Sequence, residues 1–305
     1  MNKQLNIKFM GARKIMGVLS ILLIVGSIVS LATKFLSLGL DFTGGTQIEV
    51  EYENAVQLDP IRGLLKDSAY SDASVQHFGR PEEVLVRVPP VEGEDKAKVG
   101  DNVLELLRSA DEGVALKRVE FVGPQVGEEL RDKSGTALIL ALGLMLIYVT
   151  LRFRFKFAVG AVVALFHDVI LTMGFFSITG LSFDLTALAA VLAVIGYSLN
   201  DTIVVYDRVR ENFRKDRGGS AEDIINDSLN QTLSRTLVTS LTTLLVLIAL
   251  ASLGGEMIFT FAVALIVGVL VGTYSSIYVA SNLLILQNIS REDFLEQEKV
   301  LDDMP

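Results

Sequence analysis

The chain has 305 residues, half of them apolar, with a mean hydropathy of +0.48 and a net charge of -9. It has no cysteine and only two histidines, far apart, which excludes disulfides, thiol chemistry and Cys- or His-rich metal sites. No triad, phosphate loop or cofactor motif stands out and the acidic balance disfavours nucleic acid, so an enzyme, a bound cofactor and a nucleic-acid partner are all unexpected.

Residues 1–36 read as a cytoplasmic N-terminus followed by a first apolar run at 15–33. A helix needs about 20 apolar residues to cross the hydrocarbon. Ser30-Leu31-Ala32 resembles a signal-cleavage site, but the run is longer than a signal core, so an uncleaved anchor is expected.

Residues 37–133 are polar and read as one outer domain. Ile48, Val50 and Tyr52 alternate with Gln47, Glu49 and Glu51, the pattern of a half-buried strand. Asp59-Pro60 reads as an N-cap and helix start, with Ile61, Leu64 and Leu65 on one face. Two short strands at 74–78 and 84–88 flank the turn signal Gly79-Arg80-Pro81. Val99, Val103, Leu106 and Leu107 have helical spacing, and a last strand covers 116–122. This order predicts a ferredoxin-like α+β domain, a split βαβ arrangement.

Residues 134–287 hold five more apolar runs, at 137–151 (borrowing 134–136), 157–180, 185–206, 233–253 and 257–286. The expected fold is therefore a membrane α-helical bundle of six spans with an inserted α+β domain. Lys3, Lys8, Arg13 and Lys14 precede the first span, and Arg152, Arg154 and Lys156 separate the second from the third. Arg208, Arg210, Arg214, Lys215 and Arg217 follow the fourth, whereas the loops at 181–184 and 254–256 carry no Lys or Arg. This alternation puts both termini, the loop 207–232 and the tail 288–305 in the cytoplasm. Within that loop a short amphipathic helix is expected on the membrane surface, capped by Ser220 with Asp223 at N3 and lined by Ile224, Ile225 and Leu229.

Ionisable groups inside a span are costly and mark a pathway or a pair. Asp201 lies one to two turns from the cytoplasmic end of the fourth span, on a face with Tyr197, Val204 and Arg208, and Asn200 is beside it. The fifth span opens on Arg235, with Thr239, Thr242 and Thr243 rising on the same side. One reading pairs Arg235 with Asp201 beside a hydroxyl-lined ion route. The other has a snorkelling arginine, with hydroxyls bonded to their own backbone. His167-Asp168 sits roughly 15 Å into the third span, either as relay members or as a polar packing knot. In the sixth span Ala264, Gly268, Gly272, Ser276 and Ala280 form a small-residue ridge suited to close helix packing.

Several longer motifs are similar to those of one family. They are Leu40-Asp41-Phe42-Thr43-Gly44-Gly45, Val122-Gly123-Pro124-Gln125-Val126-Gly127, Ile195-Gly196-Tyr197-Ser198-Leu199-Asn200-Asp201-Thr202, Tyr206-Asp207-Arg208-Val209-Arg210-Glu211-Asn212, Ser234-Arg235-Thr236 and Ser275-Ser276-Ile277-Tyr278-Val279-Ala280-Ser281. The sequence resembles the SecD/SecF protein-export family, on its SecF side. That resemblance implies half of an RND-type arrangement in the bacterial inner membrane. It implies SecD as the other half, the SecYEG channel, YajC and a membrane insertase as further partners, and preproteins as the cargo. It also implies ion-driven promotion of late export, with Asp201 and Arg235 as the ion-coupling positions. A small-molecule exporter half and a purely structural subunit are the alternatives.

Overall fold

The computed structural model describes residues 7–91, 98–215 and 219–294. Lys3, Arg217 and most of the expected C-terminal tail lie outside them. Among the described residues, six helices are long and apolar enough to span a membrane: Phe9–Thr33, Pro124–Arg152, Phe155–Thr179, Leu185–Lys215, Ala221–Leu253 and Ile258–Leu286. The chain is a multi-pass membrane protein. The elements are α1 (Arg13–Thr33), the short α2 (Leu40–Thr43), β1 (Gly45–Glu51), α3 (Leu58–Lys66), β2 (Ser74–Phe78), β3 (Arg80–Val88), α4 (Val99–Ala110) and β4 (Ala115–Val122). They continue as α5 (Pro124–Arg152), α6 (Phe155–Thr179), α7 (Leu185–Lys215), α8 (Ala221–Leu253) and α9 (Glu256–Ser275). A π-helical turn (Ser276–Ala280) leads into α10 (Ser281–Leu286).

The outer domain has the expected topology. Its sheet runs β2-β3-β1-β4 with every neighbour antiparallel, which is the split βαβ order. Ile48 and Val50 are fully buried against α3 and α4, while Glu49 and Glu51 stay partly exposed on the other face. Two local details differ from expectation. Asp59 does not cap α3; it lies in the first turn, where the helix dipole favours an acid, and accepts from Arg62 at 3.0 Å. The turn between β2 and β3 is tighter than the motif suggested, because Gly79 adopts φ +79° and β3 begins at Arg80.

On the polar face of the sheet, Glu83 is 7% exposed and accepts hydrogen bonds from Arg80 and Lys117. Burial by itself would raise its pKa, but the bonds from Lys117 and Arg80 outweigh that and hold it below the ordinary carboxylate range. A depressed carboxylate stabilises the fold above its unfolded value, near pH 4, and that contribution is lost as pH falls through the folded value. Acidification below about pH 4 should therefore weaken the wild-type outer domain by on the order of 1 kcal/mol more than a Glu83→Gln chain. Amide exchange in β1, β3 and β4 of the full chain, followed against pH, measures the difference.

In the bundle, α6, α7 and α9 are central, and α1, α5 and α8 surround them. The outer helices turn Ile15, Leu22, Ile139, Leu151, Leu241 and Leu245 outward, where lipid replaces a protein core. Close approach is made by small residues. A Cβ on Gly268 would stand 2.0 Å from the Val194 side chain, and one on Gly272 3.0 Å from Ser198, so these two glycines seat α9 on α7. Gly174 meets Ser27 of α1 in the same way, and Ser30 bonds Ser177 at 2.8 Å nearby.

Two boundaries are corrected. The second spanning helix starts at Pro124, not near 134, because Pro124 occupies its first turn and the helix continues unbroken to Arg152. The surface helix expected around 220–229 is the first part of α8, continuous with the fifth span. Ser220 caps it as expected, accepting from the Asp223 amide at 3.2 Å. Its apolar side does not face lipid. Ile224, Ile225 and Leu229 pack with Phe9, Met10, Val209 and Phe213, forming a helical hairpin with the end of α7. The N-terminal segment ties onto this hairpin through Met10 N–H to Asn226 Oδ1 (3.0 Å) and an Arg13–Glu222 ion pair.

Candidate functional site

Helix rotation in the central bundle aims two carboxylates inward. Asp201 on α7 is 7% exposed and Asp168 on α6 is fully buried. Asp201 accepts hydrogen bonds from Thr236 Oγ1 of α8 at 3.0 Å and from Ser276 Oγ of the π-helical turn at 3.3 Å. Three elements thus meet at one acid. Asp168 Oδ1 lies 2.8 Å from His167 Nδ1, and its Oδ2 accepts from Ser198 of α7 and from Ser275 at 2.7 Å.

The two acids share neighbours. Ser275 and Ser276 are consecutive, and each donates to a different carboxylate. Ser198 lies three residues before Asp201 on α7. The π-helical turn makes this arrangement: its extra residue shifts the backbone, Ser281 Oγ reaches back to Ser276 O at 3.0 Å, and successive serines face different helices. A second hydroxyl chain runs Tyr197–Ser240–Thr273, at 3.3 and 2.8 Å.

The other expected site residues fall out differently. Arg235 is exposed and forms no ion pair with Asp201; its neighbour Thr236 faces the acid instead. Hydroxyls at Thr239 and Thr243 bond the backbone oxygens of Arg235 and Thr239 in their own helix, at 2.7 and 2.8 Å. Asn200 is exposed, one residue away from Asp201 on the helix and turned outward. Ser276, read from sequence as part of the packing ridge, is a hydrogen-bond donor to Asp201. Ser198, Ser275 and Thr236 complete the site, and their side chains give no sequence signal of it beyond their place in conspicuous motifs.

Towards the outer domain, the 181–184 loop joins the bundle to the segment after α1. Gly39 N–H donates to Phe183 O at 2.8 Å, and Leu185 N–H donates to Asp41 Oδ2 at 3.0 Å. Arg87 on β3 reaches Ser182 Oγ at 2.9 Å. Burial lowers the Arg87 pKa, and the carboxylates of Asp184 and Asp41 pull it back up. Phe42 stacks on Phe183 with centroids 6.2 Å apart. The outer domain is thereby fastened to the start of α7, the helix that carries Asp201.

The family model described as "Protein export membrane protein SecD/SecF, C-terminal" matches residues 102–289, and the "SecD/SecF GG Motif" model matches residues 29–56. The chain belongs to the SecD/SecF protein-export family. It is 50% identical over 303 residues to the protein translocase subunit SecF of Pseudomonas aeruginosa, covering 98% of each chain. To the SecF of Escherichia coli O157:H7 it is 45% identical over 288 residues, covering 93% of this chain and 89% of that one. Among solved structures it is similar to SecDF, a translocon-associated membrane protein from Thermus thermophilus, with TM-score 0.82 and 38% identity. That match covers 94% of this chain and 39% of the SecDF chain. A SecDF structure in a super-membrane-facing form matches over the same shares with TM-score 0.69. The motif matched at 29–56 has a backbone reason within this SecD/SecF member: Gly44 and Gly45 have φ of +66° and +113° where α2 turns into β1.

Proposed function

We propose that this chain is the SecF-type auxiliary subunit of a bacterial protein-export translocase. With a SecD-type partner it uses the ion-motive force to promote the late stage of preprotein export at the SecYEG channel. It acts as a mechanical transducer in the inner membrane, with both termini in the cytoplasm. One observation carries the mechanism: Asp201 is a buried acid held by hydroxyls of two neighbouring elements, α8 and the π-helical turn, and among the described residues no cation lies within ion-pair distance of it. Gain or loss of a positive ion at such a carboxylate changes its charge and the hold of those donors, so it biases the packing of three elements. A unit charge crossing 100 mV supplies about 2.3 kcal/mol, enough to shift a two-state arrangement. The clamp between α7 and the outer domain then transmits the shift outward. The SecDF likeness supports the partnership, since this chain spans only 39% of that chain.

The reading is tested in vesicles holding the Sec channel, the SecD-type partner and this chain. An imposed proton or sodium gradient should raise the rate of late export severalfold over the same vesicles with the gradient collapsed by an ionophore. Equal rates in the two cases would rule out ion-driven transduction and leave a structural subunit.

A further inference from the structure

Asp168 is the more deeply enclosed of the two acids, and the coupling reading above makes no use of it. Among the described residues, polar groups of α6, α7 and α9 surround it. From α6 come His167 and Thr172, whose hydroxyl bonds Asp168 O; from α7 comes Ser198; from α9 come Ser275 and Tyr274, whose ring stacks on His167 with centroids 6.0 Å apart. Tyr274 is in turn held by α1, through Met16 O at 2.7 Å and Ser20 at 2.8 Å. Among these groups there is no lysine and no arginine. His167 is 2% exposed, and its Nε2 has no hydrogen-bond partner among the described residues.

A neutral imidazole beside a carboxylate would leave this enclosed pair with one uncompensated negative charge, the costly state for a buried group. One additional proton removes the net charge. It can reside as imidazolium facing carboxylate, or as a carboxylic acid donating to Nδ1. In both forms Nε2 carries hydrogen; in the unloaded form Nδ1 carries it and Nε2 is bare.

We propose that His167 and Asp168 form a second proton-binding site, in series with Asp201 through the Ser275–Ser276 step. The proposal rests on the coupling function assigned to Asp201. When the proton passes on, the pair becomes a net anion and the Asp201 carboxylate becomes neutral, so the charge of the whole cluster is unchanged.

The chain has only two histidines, and the other, His77, is exposed on β2. Histidine-labelled full chain carrying His77→Gln, in lipid nanodiscs with its SecD-type partner, therefore gives a nitrogen NMR signal from His167 alone. Nε2 should bear hydrogen in the folded chain, with Nδ1 facing the Asp168 carboxyl group. A bare Nε2 with hydrogen on Nδ1 at every pH where the protein stays folded overturns the proposal. In the vesicle assay, His167→Gln should flatten the pH dependence of gradient-driven export. A profile parallel to wild type with only its amplitude reduced would make His167 a packing residue and defeat the relay. A full gradient response in Asp201→Asn instead defeats the coupling reading, and that outcome is independent of the state of Nε2.

Discussion

Asp201→Asn should reduce gradient-driven export to the rate seen without a gradient, while the chain still folds and assembles. The substitution keeps the volume of the side chain. Its Oδ1 can go on accepting from Thr236 at 3.0 Å, and the amide replaces an oxygen whose bond from Ser276 is already long at 3.3 Å. The structural cost is therefore on the order of 1 kcal/mol. The chemical cost is complete, because an amide carries no titratable charge and gives a positive ion no counter-charge. The loss should appear in the gradient-dependent part of the rate alone, with co-purification of the SecD-type partner unchanged. Thr236→Val, which deletes a single donor, should give a partial loss of severalfold. Arg235→Gln should leave folding intact, since Arg235 is exposed and unpaired with Asp201. A normal gradient response in the Asp201→Asn vesicles would end the case for this acid as the coupling site.

Gly45→Ala should destabilise the outer domain by about 3 kcal/mol, combining left-handed backbone strain with overpacking. Gly45 has φ +113°, and a Cβ there would lie 2.4 Å from Val88 O of the neighbouring strand. Backbone, not a flexible side chain, would have to give way. The position is also mechanically central. Gly44 would meet Pro124 Cα at 2.9 Å, and Gly127 would meet Gly44 N at 2.9 Å, so β1 and the base of α5 are in backbone contact. Faster amide exchange across β1, β3 and β4, with unchanged protection in α6 and α7, is the expected signature. Wild-type protection in the strands of Gly45→Ala would show that the two-glycine turn is dispensable for the fold.

The sequence by itself determined the six spans, their alternation of basic and bare loops, and the split βαβ order of the outer domain. These are legible because a bilayer demands about 20 apolar residues per crossing, and because alternation and helical spacing report burial locally. The Gly268–Gly272 ridge was legible for a similar reason: small side chains at every fourth position leave room on one side of a helix. Asp201 could be found too, since a charge inside an apolar run is conspicuous. Its partners could not. Whether Arg235 or Thr236 faces Asp201 differs by one residue, about a hundred degrees of helix rotation, and packing alone sets that angle. The surface helix was misplaced because its apolar face is the same whether lipid or α7 covers it; the tertiary fold chose α7. The π-helical turn left no local signal, yet it brings Ser275 and Ser276 to two different acids. Polar networks between helices depend on the relative rotation of whole elements, and only the packed bundle fixes it.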